Sequence, residues 1–508
     1  MNSNSESASG TEQRQETHGV GENLVLVSNR QPYRHHYEGD GSDGDGGRSI
    51  AVDNPVGGLT AGLDPVMQRL DGTWVAWGDG EADFAVADED DQVAVPPENP
   101  EYTLQRVRLS EDEVRGYYDG YANQALWPLC HTDTCRVRFE GDHWRHYREV
   151  NQRFADGVLE HAQGGGTVWF QDYHFALAPR MVKTAEPDAF LMHFYHIPWP
   201  APDVFRICPQ RTELLDGLLG NDLLGFHLPR YGTLFMECVE EFLPEATVDW
   251  GAGEVHYEDH VTTVRSFPLG VDADDIRQKS EDADGMFEAR FRHEHGIGED
   301  VTLALGVDRL DYTKGIPQRL EILEHLFETR PSLRGELTYV QKGCGTRERV
   351  PAYQRLRDRI EDEIDRLNER FGTDDWQPIV YTTKMYDHDA LCGIYRFSDL
   401  ALVSPLRDGM NLVAKEYVAS QVDDDGVLLL SPLAGAYEEL SDGALEFDPY
   451  DTAAGADAIE RALEMDERER HSRMRTMRRR VHEADLPTWL DDVLETAGQV
   501  RATRLEGH

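Results

Sequence analysis

Short apolar runs of strand character recur along this chain, separated by helical stretches, and that alternation limits its fold more than any other feature. The runs fall at 24–27, 167–170, 190–195, 223–226, 301–307, 337–341, 379–382, 400–403, 427–430 and 445–447. Each is bounded by Gly, Pro or polar residues, as a buried strand is. Strand, helix and strand repeated this often implies an α/β protein with parallel sheets. The segment 266–272, SFPLGVD, reads as a linker, followed by a charged helix and a fresh strand at 301. The expected layout is a disordered tail (1–22), a first doubly wound domain (23–269), a second (270–484) and a C-terminal helix (485–508) packed back on the first. Two such domains place a ligand cleft between them. The Gly-rich insert 39–48 reads as a mobile loop, since it lacks the twelfth-position Glu and flanking helices of a calcium loop.

Composition narrows the partners. The 508 residues hold 96 Asp plus Glu against 50 Lys plus Arg, a formal net charge of −46. The lysines are only 183, 279, 314, 342, 384 and 415. Patterned apolar residues argue for a folded protein with an acidic surface. Such a surface suits concentrated salt, where a Debye length of about 3 Å at 1 M screens self-repulsion, as in a salt-accumulating archaeon. It disfavours nucleic acid. Cys130 and Cys135 flank His131 and Asp133, but no second pair completes a tetrahedral metal set, so reduced thiols are the better reading. The basic run 473–480 reads as a salt-bridged helix face. With no signal segment and no apolar run long enough to cross a bilayer, the expected location is the cytoplasm, without a membrane partner.

Chemistry concentrates at strand ends. In SDLALVSPLRDGMNLVAKEYVAS (398–420) a strand breaks at Pro405 and Gly409 and resumes as a helix. That places Arg407 and Asp408 at a ligand crevice, with the helix N–H groups facing a phosphate or sugar oxygen. VTLALGVDRLDYTKG (301–315) sets Arg309 and Lys314 just past a strand, a fork and a point charge that suit a diphosphate. NPVGGLT (54–60) has paired glycines entering a helix. QDYH (171–174) and HIPWP (196–200) bring Asp172 and His196 toward the cleft. In GYYDGYANQALWP (116–128) an amphipathic helix could bury Tyr118 and Trp127 with no ligand at all.

In this order, VSNR (27–30), GGL (57–59), YYxxxxNxxLWP (117–128), DYH (172–174), HIPxP (196–200), LLGFH (223–227), RLDYTKG (309–315), YRFSD (395–399), RDGMNLVAKEY (407–417) and AGAYEEL (434–440) resemble the trehalose-6-phosphate synthases, retaining glycosyltransferases of the GT-B fold. The resemblance runs from about residue 24 to 494. It implies two Rossmann-like domains facing an interdomain cleft. Arg309 and Lys314 would hold the donor diphosphate, with Gly57 and Gly58 approaching from the other domain. Met410, Asn411, Leu412 and Val413 would meet donor sugar and phosphate, and Glu416 the ribose. Asp172, His196 and Asp408 would hold sugar hydroxyls. Arg30, Trp77, Tyr118, Trp127, Arg347 and Arg396, with Asp172, would form the acceptor site. Three departures stand out: Gln171 for the usual His, Trp199 for the usual Phe, and QKGCGTRERV (341–350) for a proline-containing run before Ser-Arg.

The implied reaction moves glucose from a nucleotide-glucose, UDP-glucose first among the candidates, to glucose 6-phosphate, with retention. It needs no metal and no cofactor. A synthase using another phosphorylated acceptor, such as glycerol 3-phosphate, and a non-catalytic sugar-phosphate sensor are the alternatives. The complete acceptor and diphosphate sets disfavour both. No DxDGT-like strand end follows the synthase region, so a separate phosphatase is expected to release trehalose as an osmoprotectant. A homo-oligomer is compatible with this reading.

Overall fold

A computed structural model describes residues 23–38, 48–54, 58–70 and 72–506. The tail 1–22, residues 39–47 of the insert and Gly57 lie outside the described residues. Every predicted apolar run carries a strand. In the first sheet the order is Thr247–Asp249, Glu254–Tyr257, His260–Ser266, Leu223–Phe226, Phe190–Tyr195, Thr167–Gln171, Leu24–Ser28, Thr73–Trp77, Tyr102–Val107 and Gln92–Val95. The run from His260–Ser266 to Tyr102–Val107 is parallel throughout, and antiparallel strands close both edges. The second sheet is wholly parallel, in the order Ile379–Thr382, Leu337–Cys344, Thr302–Arg309, Leu400–Val403, Val427–Leu430 and Leu445–Glu446. Central strands such as Leu24–Ser28 and Val427–Leu430 are buried at every position, which is why they read as continuous apolar runs.

The last helix, Leu486–Glu506, crosses back onto the first sheet. Trp489 stacks on Trp169 at 5.8 Å and meets Phe194 edge-on at 5.2 Å, and its Nε1 donates to the Phe267 carbonyl at 3.2 Å. Burial of that ring anchors the helix, on the order of 3–5 kcal/mol against alanine. Arg504 pairs with the buried Asp222 at 2.8 Å. The basic helix Glu467–Glu483 is ion-paired: Arg475 and Arg478 both reach Asp424, at 2.7 and 2.8 Å, and Arg473 reaches Glu469 at 2.9 Å. Among the described residues no helix is long and apolar enough to cross a membrane.

Candidate functional site

In each sheet the winding reverses at one strand. Leu24–Ser28 lies between Thr73–Trp77 and Thr167–Gln171, and Thr302–Arg309 lies between Leu337–Cys344 and Leu400–Val403. Loops leaving the carboxyl ends diverge at such points and leave a crevice. Arg30, Trp77, Asp172 and His196 leave the first sheet this way, and Arg309, Arg347 and Asp408 leave the second.

Three arginines from both domains converge on one phenol. Arg30 Nη2 donates to Tyr118 Oη at 2.9 Å, while its Nη1 stands 3.3 Å from Asp79. Trp77 packs on the Tyr118 ring at 5.8 Å. Arg347 arrives from the second domain. Its Nη1 donates to Asp311 at 2.9 Å and Tyr353 at 2.5 Å, and its Nη2 crosses to Tyr173 Oη at 3.0 Å. The guanidiniums of Arg347 and Arg309 lie 3.9 and 5.6 Å from the Trp127 ring centre, a cation–π roof over the indole. Burial works to raise the Tyr118 phenol, but the charges of Arg30, Arg347 and Arg309 outweigh it and hold its pKa below the ordinary value. A pocket whose field stabilises a phenolate is built for an anion.

Tyr118 and Trp127 reach this pocket together because their helix is widened. Nine residues make two and a half turns of an α-helix, which would set the two rings on opposite faces. Residues Val114–Leu126 instead form a π-helix. Its i→i+5 bonding takes more residues per turn, so nine residues approach about two full turns and both rings face one side. Both rings are buried, as the amphipathic-helix reading allowed, but on a π-helix in place of an ordinary α-helix.

Beside the phenol, Asp172 sits at φ 71° and ψ 176°, a backbone region that favours glycine. Burial lifts its carboxyl to about 6, against backbone N–H bonds from Tyr173 and His196. Its Oδ1 is buried without a hydrogen-bond partner among the described residues, as are Trp127 Nε1, Arg347 Nε and both ring nitrogens of His174. His196 Nε2 pairs with Gln171 Oε1 at 2.9 Å, so the unusual Gln171 still orients the imidazole. Burial, then the fields of His227 and His193, keeps His196 neutral, with its pKa well below the usual value.

On the other side of the cleft, Lys314 Nζ lies 2.6 Å from Asp408 Oδ2, and Asn411 donates to the same oxygen at 3.1 Å. Burial alone would raise the Asp408 carboxyl; the charge and hydrogen bond of Lys314 overcome it and lower the pKa. Gly315, at φ +67°, is packed so close to the Ser404 carbonyl that a Cβ would clash, which locks the Lys314 turn against the 404–411 loop. Gly409 likewise lies against the His196 carbonyl. Tyr231 Oη donates to the Asp408 carbonyl at 3.2 Å, and Arg407 donates to the carbonyl of Trp199 at 3.0 Å. Trp199 itself donates to Cys238 Sγ at 3.4 Å, so the departure from Phe is absorbed by a partner for its N–H. Asn411 caps the helix Leu412–Ser420 through Ala414 N–H, and the helix presents the N–H groups of Leu412 and Val413 in its first turn. Glu416 accepts from Tyr395 Oη at 2.9 Å, and burial raises its pKa.

The structure parts one expected site residue from this group. Arg396 ends the helix His388–Arg396 with its guanidinium on the carbonyls of Ser280 and Ala283, both at 2.8 Å, and on Asp423 at 2.9 Å. Its side chain therefore braces the second domain, and the acceptor role implied for it is corrected. Lys415 is wholly buried, pairs with Glu439 and donates to the Leu269 carbonyl of the linker at 2.8 Å. Gly58 opens the helix Gly58–Leu70. Sequence reasoning missed Tyr173, Asp79 and Asp311, which hold the arginines; the DYH motif carried the signal for Tyr173. Cys130 is buried against Tyr195 and Cys135 is exposed.

The family model for glycosyltransferase family 20 matches residues 22–499. The trehalose-6-phosphate synthase of Mycobacterium marinum is 38% identical, covering 94% of this chain and 94% of its own. Among solved structures, the E. coli trehalose-6-phosphate protein bound with UDP-2-fluoro glucose superposes with a TM-score of 0.82 at 32% identity, over 94% of this chain and 99% of its own. The UDP-forming α,α-trehalose-phosphate synthase of Burkholderia xenovorans in complex with glucose-6-phosphate gives 0.81 at 30% identity, over 94% and 99%.

Proposed function

This chain belongs to glycosyltransferase family 20, and from that premise we propose that it is a retaining glucosyltransferase which forms α,α-trehalose 6-phosphate from UDP-glucose and glucose 6-phosphate. The observation that carries the acceptor is the convergence of Arg30, Arg309 and Arg347 on Tyr118, an anion site assembled from both domains. In this reading the phosphate of glucose 6-phosphate lies against Arg30, Tyr118 and Arg347, with Trp77 and Trp127 packing on the sugar. The donor diphosphate lies against Arg309 and Lys314, its ribose on Glu416, and its sugar near Asp408, His196 and the N–H groups at Met410 to Val413.

The step is a front-face exchange. The bond from C1 of glucose to the diphosphate oxygen breaks, the bond from C1 to O1 of the acceptor forms on the same face, and the acceptor proton passes to the departing phosphate. Arg309 and Lys314 stabilise charge growing on that phosphate, an effect worth about 2.7–4 kcal/mol per donor in comparable oxyanion sites. Asp408 engages Lys314, which sets the phosphate-binding cation and the carboxylate for a sugar hydroxyl side by side. Domain contacts such as Arg347–Tyr173 and Arg407–Trp199 favour a closed cleft that excludes water. The acidic, lysine-poor surface fits work in concentrated salt, and a separate phosphatase completes trehalose release for osmoprotection. The test is purified protein in molar KCl with each nucleotide-glucose, with and without glucose 6-phosphate, followed by nucleotide release and product mass. Release that depends on glucose 6-phosphate is expected; no release with any donor would leave a non-catalytic sensor.

A further inference from the structure

His174 is 8% exposed and lies in the midst of the anion pocket. Its ring stacks on Tyr118 at 5.8 Å with 13° between planes, and lies 4.1 Å from the Tyr173 ring, whose hydroxyl binds Arg347. Both ring nitrogens are buried, and neither has a hydrogen-bond partner among the described residues. A polar group so placed costs about 1–3 kcal/mol unless something completes it. Burial, and then the charges of Arg347 and Arg30, keep the imidazole neutral, so it offers one N–H donor and one acceptor nitrogen. The packing function of such a ring is met equally well by Phe, which has no nitrogen to leave unpaired.

We propose that His174 is a further acceptor-contacting residue, donating its ring N–H to a phosphate oxygen of the phosphorylated hexose beside Arg30, Tyr118 and Arg347. The inference rests on the acceptor reading above and deepens it: the pocket takes the dianion with cationic forks and one neutral donor. That donor adds direction without a further charge beside the arginines.

The test is steady-state kinetics of His174→Phe, His174→Gln and His174→Ala against both substrates, with thermal melts. His174→Phe keeps the stack on Tyr118 and removes the donor, so the KM for glucose 6-phosphate is expected to rise about tenfold or more, while the KM for UDP-glucose stays within twofold. His174→Gln, which keeps an N–H, is expected to regain part of the loss. His174→Ala reports on the same contact where the Phe variant fails to fold. An unchanged acceptor KM in the folded variants, or equal losses for both substrates with a lowered melting temperature, would overturn the role of His174. A wild-type enzyme that ignores glucose 6-phosphate would instead refute the functional reading itself.

Discussion

Replacing Asp172 by Asn should make the protein more stable at neutral pH while disabling it. The carboxyl is buried, one of its oxygens has no partner among the described residues, and its pKa is about 6 against an ordinary 3.8. Between those values the folded chain keeps a proton that the unfolded chain has lost. Stability therefore falls as pH rises from about 4 to about 6 and stays at the lower level above. The difference of about 2.2 pH units corresponds to about 3 kcal/mol at 1.36 kcal/mol per unit. Asn keeps an oxygen for the Tyr173 and His196 N–H groups, matches Asp in shape and so adds no backbone strain at φ 71°, and carries no charge. Denaturant unfolding of both proteins in molar KCl from pH 4.5 to 8 should show the Asp172→Asn variant ahead by up to about 3 kcal/mol at pH 7.5, with the gap shrinking toward pH 4.5. Transfer activity should fall by about 100-fold or more, since a charged acceptor to a sugar hydroxyl is lost. A variant less stable than the parent at pH 7.5, or offset equally at every pH, would refute the reasoning.

Other variants separate the groups. Lys314→Ala should cut kcat by about 10²–10³ while lowering stability by no more than about 2 kcal/mol, read from turnover and unfolding on the same preparation. Arg396→Gln should leave the KM for glucose 6-phosphate within twofold and lower the melting temperature, because its guanidinium holds the 280–283 turn. Lys415→Met should lower stability by no more than about 2 kcal/mol, since it loses the hydrogen bond to the Leu269 carbonyl but leaves the partly exposed Glu439 able to hydrate, with donor and acceptor KM values little changed.

The strands and the cleft were legible because a fully buried parallel strand announces itself locally, as in 400–403 and 427–430. Arg309, Lys314 and Asp408 were legible for a related reason: charges placed just after such strands have the crevice in front of them. Residues on helices were harder to place. Arg396 and Tyr395 are neighbours in one motif, yet helix phase sends Tyr395 to Glu416 and Arg396 to the carbonyls of Ser280 and Ala283. Tyr118 and Trp127 share a face only because the helix between them is widened, which residue spacing read at 3.6 per turn reverses. The partners of Lys415, Glu439 and the linker carbonyl of Leu269, come from distant segments that no local pattern reveals.

The most direct measurement is the product itself. Incubated in molar KCl with UDP-glucose and glucose 6-phosphate, the protein should release one UDP for each disaccharide phosphate formed, and proton NMR should show both anomeric centres in the α configuration. UDP release that does not depend on glucose 6-phosphate, or a product with a β centre, would contradict a retaining transfer to the anion site at Tyr118.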